Sequence, residues 1–212
     1  MSEENKTIIK SEKLAYWYFR LNGFLTIPNL VIHPDQGTEQ RTEVDILGVR
    51  FPYRAELLEN SMPDDEIFIK IKNKPYIVIA EVKSQTCNLN RYWRNPEKKD
   101  LNRIISCTGA FINEDNDKVA QELYGNGNYQ NDYYYVSLFC LGKQINRELQ
   151  KSHPNIPQVT WEKVLRFIYS RFKNYEPQKS RHPQWEDEGQ KLWRVSSKSE
   201  DENEFISKIS VL

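Results

Sequence analysis

The feature that most constrains this chain is the run Ile77-Val78-Ile79-Ala80, followed at once by Glu81-Val82-Lys83. Four apolar residues in succession, three of them β-branched, read as a central strand buried on both faces, and the strand is expected from Tyr76 to Gln85. Charges seldom continue such a strand, because transferring an ion from water into a packed sheet is costly. Side chains alternate along a strand, so Glu81 and Lys83 should share one face at roughly 7 Å of backbone rise, with Gln85 next on that face and Val82 in the opposite layer.

A second acidic element, Glu43-Val44-Asp45, opens a strand pattern expected from Glu43 to Phe51. Here Val44 and Ile46 should face one way and Glu43 and Asp45 the other. If the two strands pair as a hairpin, with residues 53–74 as a long connection carrying a short element of its own, Asp45 falls beside Glu81. Two half-buried carboxylates repel one another unless a cation sits between them. A hard divalent ion held by one or two carboxylates, and keeping several waters, is what phosphodiester hydrolysis requires. The Lys83 ammonium can orient the attacking water or the phosphate, and burial beside a cation is expected to lower its pKa toward proton transfer.

The flanking pattern supplies a framework for these strands. Leu14, Trp17, Tyr18 and Leu21 recur at helical spacing within residues 8–22, and Asn22-Gly23 supplies the stop. Residues 24–32 read as a strand that Pro28 bends or confines to an edge. Asn95-Pro96 caps an expected helix faced by Leu101, Ile104, Ile105 and Ala110, with a second helical segment toward Tyr124. Gly125 to Asn131 reads as a turn, Tyr133 to Leu141 as another strand, and Thr160 as the cap of a helix reaching about Tyr175. Helix, strands, helices, strand and helix suggest an α/β domain with a mixed sheet flanked by helices.

This constellation resembles the PD-(D/E)XK, or restriction-endonuclease-like, nuclease superfamily over about residues 8–175. The resemblance implies a restriction-endonuclease-like mixed β-sheet core, with Asp45, Glu81 and the Val82 carbonyl holding Mg²⁺ or Mn²⁺. It also implies a catalytic Lys83, an accessory polar Gln85 and an acid in the first helix, Glu12, near the metal. The chain departs from the pattern at Val44, where proline is frequent, and in the long connection between Asp45 and Glu81. On this reading residues 1–175 form the nuclease-like domain. Residues 176–212 form a polar C-terminal extension in which Trp185, Leu192, Trp193 and Phe205 to Leu212 call for partial docking or a partner.

Thirty basic and thirty acidic side chains cancel, so nucleic-acid affinity must come from a local patch or a partner rather than a global field. The best local candidate is Arg91, Trp93 and Arg94, with Lys98, Lys99 and Arg103 beyond them. They could clamp phosphates and stack on a base, or form a solvated loop with Trp93 packed inward. The substrate is expected to be DNA rather than RNA, in restriction, repair or anti-phage defence, with a homodimer or a protein partner for double-strand cleavage or substrate delivery. The rival reading is a non-catalytic nuclease-fold subunit that serves as a protein-interaction module.

Other chemistries find no pattern here. Cys87, Cys107 and Cys140 are odd in number and widely spaced, which favours a reducing cytoplasm over a disulfide framework. His33, His153 and His182 show no metal-ligand spacing. Gly125-Asn126-Gly127 lacks the Gly-Lys-Ser/Thr of a phosphate loop. Lys143 and Gln144 read as a polar strand exit. The longest apolar stretch, Tyr76 to Ala80, is far short of the roughly 20 residues that span a bilayer.

Overall fold

The computed structural model describes residues 6–180 and 186–212; His182 and Trp185 lie outside the described residues. In chain order the elements are β1 (Thr7–Ile9), α1 (Ser11–Leu21), β2 (Leu25–Ile32), β3 (Thr42–Arg50), α2 (Glu66–Ile69), β4 (Tyr76–Val82), α3 (Asp100–Thr108) and α4 (Asn113–Asn126). There follow β5 (Asn128–Gln130), β6 (Tyr135–Gly142), α5 (Arg147–Ser152), β7 (Gln158–Thr160), α6 (Trp161–Asn174), α7 (Glu176–Ser180), α8 (Asp187–Ser197), α9 (Glu202–Ser207) and β8 (Ile209–Val211). The fold is mixed α/β. A mixed sheet runs β2-β3-β4-β6-β5, with β7 also beside β6. β2, β3 and β4 are antiparallel neighbours, and β4 runs parallel to β6.

All seven residues of β4 are buried, as its unbroken apolar run requires. Tyr76, Val78, Ala80 and Val82 pack with α1 and α6, through Leu14, Phe19, Val164 and Ile168. Ile77 and Ile79 pack with α3 and α4, through Leu101, Ile105, Val119 and Leu123. Each helix therefore turns its apolar stripe to one face of the strand that ends in Glu81-Val82.

Several boundaries differ from the sequence pattern. The first helix begins at Ser11 rather than near Ile8, because Thr7–Ile9 pairs with Ile209–Val211 across the length of the chain. The central strand stops at Val82, three residues before Gln85. Asn95 does accept the Glu97 amide, but it caps only the 3₁₀ turn Pro96–Lys98. Lys99 then takes a left-handed φ of 55°, and α3 starts afresh at Asp100. The helix expected toward Tyr124 continues to Asn126, and Gly127, at φ 75°, ends it. Thr160 caps α6 as expected, accepting the Lys163 amide.

The connection from β3 to β4 is clamped by buried charge. Asp64 accepts from Arg50 at 2.7 Å, Arg54 at 2.6 Å and Arg171 at 2.8 Å. Arg171, fully buried in α6, also reaches Glu56 and the carbonyls of Met62 and Pro63. The C-terminal segment packs into the same core: Leu192 and Phe205 are fully buried with α1 and α6. Gly189 lies so close to Trp17 that a Cβ there would sit 2.0 Å from the indole ring, so α8 rests directly on α1.

Candidate active site

The register of β3 and β4 ends at Ile46 opposite Ala80, and one further step sets Asp45 opposite Glu81. Beyond that point β3 pairs only with β2. The Val82 N–H consequently lacks a β3 carbonyl, and it donates to Asp45 Oδ2 at 2.7 Å. Asp45 thus takes the place of a missing backbone acceptor.

The alternation expected for β3 fails at the same place. Val44 packs with Ile32 and Leu47 in one layer, while Ile46 packs with Val78 in the other. Asn29, on the facing edge strand, adopts a left-handed φ of 52°. Both strands are therefore irregular where the acid projects, a local disturbance of the kind that re-aims a side chain at a sheet edge.

Lys83 Nζ donates to Glu81 Oε1 at 2.5 Å, with the lysine side chain 42% exposed and the glutamate 4%. The other carboxylate oxygen, Glu81 Oε2, is buried and has no hydrogen-bond partner among the described residues. Burial, and then the charge of Asp45, push the Glu81 carboxyl up to about 7, against the opposing pull of Lys83 and the nearby Asn90 side chain. Asp45 is also raised, mainly by burial and further by Glu12 and Glu43, although the Val82 amide and Lys83 oppose this. A single ammonium does not offset two carboxylates at this depth.

Lys83 departs from expectation. Burial lowers its pKa, but the Glu81 hydrogen bond and the charges of Glu81 and Asp45 outweigh it, and the net shift is upward. The carboxylates hold the proton on the lysine, so its action is that of a fixed cation.

The remaining predicted residues divide. Glu12, exposed in the first turn of α1, is near enough to raise Asp45. Val82 faces the layer opposite Glu81, as predicted. Gln85 lies in an exposed bend, where the alternation of β4 no longer reaches, and its carbonyl accepts from the amides of Lys143 and Gln144. Those two residues, read as a polar strand exit, therefore hold the loop after Lys83 against the end of β6. Gly142 permits this approach: a Cβ there would meet the Cys87 amide at 2.8 Å and the Gln85 carbonyl at 2.9 Å.

Trp93 is 1% exposed and packs with Leu101 and Leu123, so it cannot stack on a base. Its neighbours Arg91 and Arg94 are exposed; the first rests on the Tyr92 ring and the second donates to Asn88. Lys98 and Lys99 are exposed, whereas Arg103 is paired with Asp35 at 2.6 Å. Sequence reasoning missed Asn90. It accepts the Tyr92 amide at the start of the Arg91–Arg94 turn and sits close enough to Glu81 to oppose the rise of its pKa, and only its place before the basic segment hinted at a capping role.

Among the described residues, no group of three or more His, Cys, Asp or Glu side chains converges to hold a metal ion. Asp45 and Glu81 nonetheless fit a hard cation that keeps part of its water shell, because the pair is destabilised as anions and Glu81 Oε2 has no donor. Nucleophilic chemistry at Cys87 or Cys140 does not fit, since burial raises the Cys87 thiol to about 11 and that of Cys140 further. No protein-family model matches the chain, nor does any curated protein or solved structure. None of the described helices is long and apolar enough to cross a membrane.

Proposed function

We propose that this chain is a metal-dependent nuclease of the restriction-endonuclease-like type, hydrolysing phosphodiester bonds in DNA. The observation that carries the reading is the cluster at the end of β4: Asp45 on the Val82 amide, Glu81 with an unpartnered buried oxygen, and Lys83 on the other Glu81 oxygen. The order α1, β3 with Asp45, β4 with Glu81-Val82-Lys83, then α3, α4, β6 and α6 supports it, since the resemblance implies a helix before the two acidic strands and an α-β-α continuation after them.

Asp45 and Glu81 would hold Mg²⁺ or Mn²⁺, with the Val82 carbonyl as a further oxygen and Glu12 at the margin. Such an ion stabilises charge developing on a phosphate and acidifies a water. The chain itself supplies the positioning. The Val82 amide fixes Asp45, and the protonated Lys83 holds one Glu81 oxygen while it attracts and orients the scissile phosphate. Arg91, Arg94, Lys98 and Lys99 offer phosphate contacts beside the site. One such site cuts one strand, so a double-strand break needs a second copy or a second encounter.

Incubation of the purified protein with plasmid DNA and Mg²⁺ or Mn²⁺ tests the reading. Cleavage should be abolished by Lys83→Ala and by Asp45→Asn, the latter keeping an oxygen for the Val82 amide. A clean, folded preparation inert on both DNA and RNA overturns the assignment in favour of a non-catalytic interaction module.

A further inference from the structure

Away from the carboxylates, a cavity of about 480 Å³ has Lys6, Lys191, Arg194, Lys198 and Lys208 in its lining and, among the described residues, no acid. These cations come from three stretches of chain: the approach to β1, α8 with its cap, and the α9–β8 junction. Lys191, Arg194 and Lys198 follow one another at spacings of three and four, which puts them on one face of α8. Glu188 and Glu204 pair with Lys191 and Lys208 from outside the lining, and a positive excess remains among the described residues.

A favourable helix dipole explains Lys198 at the end of α8, but not cations converging from three segments. On a chain with no net charge, such a concentration creates a local field that favours a polyanion. Its location points to which one. Thr7 lines the cavity and opens β1, and the extended chain from Thr7 to Ser11 covers about 13 Å at ~3.3 Å per residue. The next residue, Glu12, is one of the charged groups near enough to act on Asp45. That span is about four base steps along a DNA strand at ~3.4 Å each.

We propose that this basic cavity of the C-terminal segment binds the phosphodiester backbone of DNA a few nucleotides from the cleaved bond, an inference that rests on the nuclease reading. Lysines predominate, and they act as point charges on phosphates, so the binding is independent of base sequence.

The test measures binding of a labelled DNA duplex in EDTA across a salt series, using wild type, the double variant Lys191→Gln/Lys198→Gln, and Lys83→Ala. The double variant should bind about tenfold more weakly at low salt, and the slope of log affinity against log salt should shrink by about 2, roughly one for each phosphate that a lysine no longer neutralises. Its melting temperature should match wild type, since both side chains are exposed, and Lys83→Ala should retain the full slope contribution of the cavity. Wild-type affinity and slope in the double variant overturn the inference while leaving the nuclease reading intact. Binding only to phosphatidylserine vesicles, with none to the duplex, also overturns it. Cavity-dependent duplex binding by a protein that cuts nothing with Mg²⁺ or Mn²⁺ supports the cavity and overturns the nuclease reading alone.

Discussion

Replacing Glu81 with glutamine should stabilise the metal-free protein at about pH 8 and leave it unchanged at about pH 4. The Glu81 carboxyl moves from its ordinary 4.5 to about 7 in the fold, which penalises the ionised form by about 3 kcal/mol. With the side chain only 4% exposed, solvent screening removes little of that figure. Between 4.5 and 7 the folded state keeps a proton that the unfolded chain has released, so wild-type stability falls as pH rises through this window. Glutamine keeps the shape and removes the charge. For a chain of this size about 3 kcal/mol corresponds to roughly 6–12 °C in melting temperature. Thermal denaturation of both proteins in EDTA at the two pH values measures it. Mn²⁺ at a hundredfold excess over its Kd should restore about 2.7 kcal/mol to wild type, and most of that gain should vanish in the variant. Equal melting temperatures at about pH 8, or a difference that persists at about pH 4, would refute the claim that a buried, uncompensated charge sits at Glu81.

Asp64→Ala should cost about 3–5 kcal/mol in urea denaturation, because it leaves Arg50 and Arg171 buried without their shared anion; a cost below about 1 kcal/mol would show the clamp to be incidental. Trp93→Ala should lose about 3–5 kcal/mol by opening a core cavity, and Trp93→Phe should leave the Kd for DNA unchanged, so a large loss of affinity in the latter would reinstate base stacking. Gly189→Ala should destabilise by about 1–3 kcal/mol as α8 is forced off Trp17, read by the same denaturation.

The sheet and its helices were legible because their signals are local and strongly periodic. The apolar run before Glu81, the stripe of α1 and the Thr160 cap all report on residues a few positions apart. What escaped depends on distant partners. β1 and β8 are three residues each and exist through one another, and β5 and β7 are equally short strands along β6. The juxtaposition of Asp45 and Glu81 followed from reading two strands as a hairpin with a long connection. The mode of that juxtaposition did not: the broken alternation at Asp45 arises from where β3 parts from β4, which periodicity does not encode. Trp93 was ambiguous for a related reason, since an aromatic in a basic loop carries no mark of which way it turns.

The hydrogen bond between the Val82 amide and Asp45 gives position 45 an architectural duty that outlasts any catalytic one. A chain of this fold without hydrolytic activity would still require an oxygen there to terminate the strand pairing, so selection for folding alone would preserve Asp or admit Asn. Position 81 has no such obligation, and without an ion its charge is a burden that drift toward Gln would relieve. If the proposed nuclease reading holds, the acid that separates active from inactive chains of this fold is therefore Glu81.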